Sequence, residues 1–235
     1  MNFVELLTHF GLTKQEANLY MMLSAEGQLT GYEAAKLTGI SRSNTYNALA
    51  GLVEKGAAYL IEGTATRYTP VPLEEFCENK ITVLRQYKKD LIGCAPAQKE
   101  TTDGGYFTIK GEENILNKMK NMLNQSKERA YLSMSVEITE RLLDELRDSV
   151  CRGLKIVIIT DEPFRLSGAT VYHAEKTQKQ IRLISDSSSV LTGDLNDGSR
   201  STCLYSGKKN LVDLFKESLK NEITLIEMMK GTQKK

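Results

Sequence analysis

Histidine is nearly missing from this sequence: His9 and His173 are the only two. A zinc site built on imidazoles, or a Ser-His-Asp cluster, therefore has almost nothing to draw on. The cysteines Cys77, Cys94, Cys151 and Cys203 are far apart and never form a CxxC pair. That removes zinc-ribbon and thioredoxin readings and leaves reduced thiols as the expectation. No apolar run approaches the roughly 20 residues of a membrane helix. The opening MNFVELLTHFGL has neither the basic flank nor the cleavage site of a signal peptide, so the expected compartment is the cytoplasm, with no membrane partner. Neither GxGxxG nor a Walker loop stands at a strand–helix junction. No cofactor and no metal are expected.

What remains is a 235-residue chain with 40% hydrophobic and 26% charged residues, the texture of a globular protein of one or two domains. Three helix starts stand out in the first fifty residues. Thr13 is followed by Glu16 and Thr30 by Glu33, two capping boxes in which hydroxyl and carboxylate satisfy each other's end of the helix. Ser41 supplies a simple N-cap before RSNTYNAL. Only KLTGI separates the second and third starts, and Gly39 can take the positive φ of a tight turn. Two short helices joined in this way form a helix-turn-helix.

From Ser41 onward, Thr45, Leu49 and Leu52, with Ala48 and Val53 beside them, share the face that packs inward. Arg42, Ser43, Asn44, Tyr46 and Asn47 are left on the other face. That is where a recognition helix shows side chains to base edges in the major groove. Arginine pairs with guanine, asparagine with adenine, and hydroxyls suit phosphates. Gly56 stops the helix, and AAYLIEG and TATRYTPV alternate as a hairpin around Gly63 and Thr64. The order is that of a winged helix-turn-helix, with Arg67 near the hairpin tip placed for a phosphate or the minor groove. Against this stands the charge: residues 1–72 hold five basic and six acidic side chains, whereas nucleic-acid binders usually carry a basic surplus.

Residues 73–100 read as a connector. In LEEFCENKITVLRQYKKDLIG, Leu73, Phe76, Lys80, Val83, Tyr87 and Asp90 fall at alternating steps of three and four, with Leu84 and Leu91 alongside. Such a helix lays one apolar edge on a partner, either a second copy or its own chain. A polar linker around Gly93 and Pro96 follows. From 101 to 235 strands alternate with helices, which predicts an α/β sandwich with a largely parallel first part. EITERLLDELRDSVCRG reads there as one helix. The whole is an α+β chain: residues 1–72 a winged helix-turn-helix, 73–100 a connector, and 101–235 an α/β domain.

The run FGLTKQEANLYMMLSAEGQLTGYEAAKLTGISRSNTYNALAGLVEKGAA, continued by RYTPVPLEEF, resembles the TrmB family of transcriptional regulators over about the first 90 residues. The resemblance implies a winged helix, a helical connector and a phospholipase-D-like C-terminal domain. It also implies a ligand in the C-terminal half, as in sugar-responsive members, but here no effector-binding residue is assigned. A phospholipase-D site has the form HxKxxxxD. Aligned on Asp186 and Gly193, this chain puts Lys179 where the histidine would stand, Ile181 where the lysine would, and Asp194 in place of a serine. The resemblance therefore implies the frame without its catalytic groups, and no enzyme is expected. Asp186 and Arg182 are left as a remnant pocket or as a loop cap and a salt bridge.

The resulting expectation is a homodimeric, sequence-specific regulator on a pseudo-palindromic DNA site, with a small-molecule effector or partner for its C-terminal domain. The DNA-contacting residues would be Ser41, Arg42, Ser43, Asn44, Tyr46, Asn47 and Arg67. The alternative is a protein-interaction adaptor that uses a winged helix without specific DNA.

Overall fold

Capping chemistry sets the first half of the chain. The structure, a computed structural model, describes residues 2–96, 105–174, 180–195 and 201–232. Helix α1 (Phe3–His9) starts at a capping box between Asn2 and Glu5, a fourth helix start that the sequence reading missed. Helix α2 (Lys14–Glu26) and helix α3 (Gly31–Thr38) start at the expected Thr13/Glu16 and Thr30/Glu33 boxes. Helix α4 (Arg42–Glu54) starts at Ser41, whose Oγ accepts the Asn44 N–H at 3.4 Å. Gly39, at φ +69°, makes the left-handed turn between α3 and α4.

A two-residue strand β1 (Leu29–Thr30) precedes α3, and the wing follows α4 as β2 (Ala58–Ile61) and β3 (Arg67–Pro70). The three form an antiparallel sheet in the order β1-β3-β2. The hairpin pairs Ile61 with Arg67, so its loop is longer than a tight turn on Gly63 and Thr64. The core beneath is built from Leu7, Ala17, Leu19, Tyr20, Leu23, Leu49, Leu52 and Phe76. The Tyr20 hydroxyl donates to the Val71 carbonyl at 2.7 Å and ties α2 to the exit of the wing. Gly51 lets α4 approach α2: a Cβ there would run into the carboxylate of Glu16.

Helix α5 (Leu73–Cys94) then runs for 22 residues, about 33 Å at ~1.5 Å per residue. Phe76 is its only fully buried side chain, and it belongs to the winged-helix core. Val83, Leu84, Tyr87, Leu91 and Ile92 are all exposed. The seam read from the sequence therefore divides: its first turns serve the chain's own core, and Leu84, Tyr87 and Leu91 at steps of three and four face outward.

The chain divides into two compact units, Met1–Gln98 and Lys99–Lys235. The boundary expected after residue 100 lies outside the described residues. In the second unit the elements run β4 (Tyr106–Lys110), α6 (Glu112–Gln125), β5 (Arg129–Ser133), α7 (Val136–Glu140), α8 (Leu143–Cys151), β6 (Lys155–Thr160), β7 (Ala169–His173), β8 (Gln180–Ser185), β9 (Ser189–Asp194), β10 (Thr202–Ser206) and α9 (Lys209–Thr232). One seven-stranded sheet orders them β4-β10-β9-β8-β5-β6-β7. Only β5, β6 and β7 pair in parallel, and the rest of the sheet is antiparallel. The expected parallel part is thus confined to one end.

Two apolar layers flank the sheet. Ile115, Met119 and Leu123 of α6 and Leu146 of α8 pack on Leu132, Ile156, Ile158 and Leu183. Val212, Leu219 and Ile226 of α9 pack on the other face, over Ile159, Ile184 and Val190. The helix expected from residue 137 is two helices, α7 and α8, broken at Arg141 and Leu142. Strand β7 was not foreseen.

Candidate nucleic-acid interface

The inward face of α4 is set by Thr45, Ala48, Leu49 and Leu52, all buried. Helical spacing then leaves Ser41, Arg42, Ser43, Asn44, Tyr46 and Asn47 exposed together on the first turn and a half. The buried Thr45 hydroxyl donates back to the Ser41 carbonyl at 3.1 Å, so the one hydroxyl facing inward is satisfied. Among the described residues, the side chains of Ser43, Asn44 and Asn47 have no hydrogen-bond partner, and Arg42 has no carboxylate partner. Their donors and acceptors remain free for another molecule.

The electrostatics of this turn differ from those of its neighbours. Helices α1, α2 and α3 each carry a glutamate in the first turn, and α4 carries none. Its exposed N–H groups and the positive end of its dipole are not offset by a carboxylate. Such an end suits an anion, and phosphate in particular.

Two aromatic contacts shape the face, and of their four residues the sequence reading names Arg42 and Tyr46 but neither Gly31 nor Tyr32. The Arg42 guanidinium lies over the Tyr32 ring, 4.7 Å from its centroid. The Tyr46 ring covers Gly31, where any Cβ would overlap it. Gly31 and Tyr32 open α3, so both contacts fasten the two helices of the turn together. The signal available in the sequence was an aromatic at the second position of α3 beside a glycine.

Arg67 flanks the wing loop as the first residue of β3, opposite Thr30 of β1. It is exposed, but it is partly engaged: Nη1 donates to the Gln28 carbonyl at 3.4 Å and lies 3.8 Å from Glu33. Glu33 is held below the usual carboxylate range, first by the Thr30 N–H and hydroxyl and then by Arg67. Arg67 is thus tethered to the cap of α3 instead of standing free at the hairpin tip.

In the second unit, Asp186 stands in the β8–β9 turn at φ +48°, followed by Ser187 at +54°. Its carboxylate accepts the N–H groups of Lys127, Glu128 and Arg129 at 2.8 to 2.9 Å. Burial pushes this carboxyl up, but those three bonds outweigh it and lower its pKa. Asp186 is a loop staple. Arg182 of β8 pairs with Glu222 of α9 at 3.5 Å. Ile181 is fully buried in the sheet core, and Lys179 lies outside the described residues. The two residues left open as a pocket remnant therefore act as a cap and a salt bridge. Among the described residues no group of three His, Cys, Asp or Glu side chains is arranged to hold a metal. No described helix is long and apolar enough to cross a membrane.

Both halves match models of one family. Residues 6–74 match "Sugar-specific transcriptional regulator TrmB" and residues 105–217 match the N-terminal subdomain of the TrmB effector-binding domain. The chain is 26% identical over 239 residues to the uncharacterized protein YrhO of Bacillus subtilis, covering 97% of this chain and 87% of that protein. It is 29% identical over 201 residues to the DNA-binding HTH-type transcriptional repressor TrmBL2 of Thermococcus kodakarensis, covering 77% and 76%. Among solved structures, TrmBL2, an archaeal chromatin protein, aligns over 94% of this chain and 97% of its own at 23% identity and a TM-score of 0.46. The phospholipase D family member Nuc of Salmonella typhimurium aligns over 51% of this chain and 93% of its own, at 14% identity and a TM-score of 0.41. With a winged helix in the first unit and the effector-domain match in the second, the chain belongs to the TrmB family of transcriptional regulators.

Proposed function

We propose that this regulator binds a pseudo-palindromic site in double-stranded DNA as a cytoplasmic homodimer, each copy placing the first turns of α4 in a major groove. The observation that carries the reading is the face formed by Ser41, Arg42, Ser43, Asn44, Tyr46 and Asn47, exposed, unpaired by carboxylates and free of acid in its first turn. Arg67, exposed beside Glu33, serves as a wing contact by exchanging that carboxylate for a backbone phosphate. The dimer rests on α5, whose outward Leu84, Tyr87 and Leu91 form an apolar stripe that a second copy would bury. In this division of labour residues 1–72 bind, 73–100 pair the copies, and 101–235 sense a small molecule or a partner. The second unit is not an enzyme in this reading: Asp186 is consumed by three backbone bonds and the Ile181 position is apolar and buried.

Selection of random duplex DNA by the full-length protein at fixed low salt tests the reading. An enriched inverted repeat is the expected result, with half-sites about one helical turn apart or a multiple of it. No enrichment by folded protein would overturn it. The near-neutral charge of residues 1–72 favours a second reading, an adaptor that binds protein. Arg42→Ala separates the two, because only the DNA regulator loses specific duplex binding.

A further inference from the structure

We propose that Tyr32 is a specificity-determining residue, its ring presenting the Arg42 guanidinium as a planar reader of a guanine edge. This rests on the DNA-binding reading above. Tyr32 is 51% exposed, and the core positions of α3 beside it are Gly31, Ala34 and Ala35. An aromatic left half in solvent is not there to fill the core. What it meets is Arg42, whose guanidinium carbon lies over the ring, 4.7 Å from its centroid.

The chemistry of that contact favours base reading over phosphate binding. A phosphate needs only a cation within reach, and a flexible one serves. A guanine needs two donors held in one plane against O6 and N7. A ring beneath the guanidinium narrows the orientations open to it, as a cation over an aromatic face is held there, and it leaves the N–H groups unspent. No carboxylate competes for them among the described residues, and the first turn of α4 holds none. An exposed cation–π contact changes an equilibrium by about two- to fivefold on its own. Its effect on discrimination should be of that size, while loss of the guanidinium removes the discrimination altogether.

The experiment uses full-length wild type, Tyr32→Leu, Tyr32→Phe, Arg42→Ala and Arg42→Lys, with melting curves to establish folding. The wild type first selects an operator. Each variant is then titrated with that operator, and with versions changed at each G·C pair, over a salt series. One guanine position should lose its preference in Arg42→Ala and Arg42→Lys. The same preference should fall two- to fivefold in Tyr32→Leu and survive in Tyr32→Phe, with the salt slope of Tyr32→Leu unchanged. The proposal is overturned if Tyr32→Leu keeps full preference, or if Tyr32→Phe is as damaged as Tyr32→Leu. It is also overturned if Arg42→Ala weakens all sequences equally and flattens the slope by about one unit, the mark of a phosphate contact. If the wild type selects no sequence, the DNA reading itself fails before any variant is compared. Arg42→Lys keeps the Tyr32 side chain, so it tests the planar contact even if Tyr32→Leu does not fold.

Discussion

Lys55 Nζ meets the Glu16 carboxylate at 2.6 Å across the crossing of α4 and α2, and the same carboxylate accepts the Thr13 N–H at 2.7 Å. One buried acid thus caps its own helix and anchors the C-terminal end of the helix proposed to read DNA.

Lys55→Met keeps the side-chain stem and removes the charge. Because Lys55 is about a third exposed, the expected cost is ~1–3 kcal/mol, below that of breaking a fully buried pair. Burial raises the Glu16 pKa, but Lys55 and Thr13 outweigh it and hold the carboxyl below the usual carboxylate range. A depressed carboxyl stabilises above its unfolded pKa, and that contribution is lost as pH falls through the folded pKa. Urea midpoints from pH 7 down to 3 should show the gap between wild type and variant closing on acidification.

Asp186→Ala should free three backbone N–H groups and lower the stability of the second unit by ~1–3 kcal/mol. Hydrogen exchange at Lys127, Glu128 and Arg129 should speed up, and amides of α2 and α4 should not change. Unchanged exchange at those three residues would contradict the staple.

The thiols should react in a set order. Cys94 and Cys151 are exposed, whereas Cys203 is buried and its thiol is pushed up to about 11. At pH 8 only about one Cys203 in a thousand is thiolate. Alkylation followed by peptide mass spectrometry should label Cys94 and Cys151 first and Cys203 only on unfolding, with Cys77, also raised by burial, in between.

Leu84→Glu combined with Leu91→Glu places charge on the exposed stripe of α5. Both side chains are more than 60% exposed, so the monomer should keep its melting temperature. Sedimentation should shift from dimer to monomer, and operator affinity should fall with it. A dimer that survives both changes removes α5 from the interface.

Legibility followed the length of the signal. The Thr13/Glu16 and Thr30/Glu33 boxes are local four-residue patterns, and the bonds they announce are present. The same pattern at Asn2 and Glu5 opens a helix of only seven residues, too short for a helical repeat to mark it in the sequence. Strand β1 has two residues, and its partner Tyr68 is far along the chain, so no periodicity could reveal it. The break between α7 and α8 carries no proline or glycine. At Arg141 the side chain bonds Glu112 and Glu113 of α6, a tertiary contact that sequence spacing does not encode. The inward and outward faces of α4 were legible because burial there follows the helical repeat. Tyr32 was not, since its contact with Arg42 depends on how two helices cross.

The edge strand β4 is the first strand of its sheet to be synthesised, yet it pairs only with β10, the last. The winged helix, by contrast, closes its sheet within the first 70 residues. On a ribosome moving at roughly 5–20 residues per second, the edge of the second sheet stays incomplete for many seconds after the winged helix is free to fold. The half proposed to hold DNA would therefore be ready before the half proposed to control it, and a truncated transcript would release a binder without its regulator.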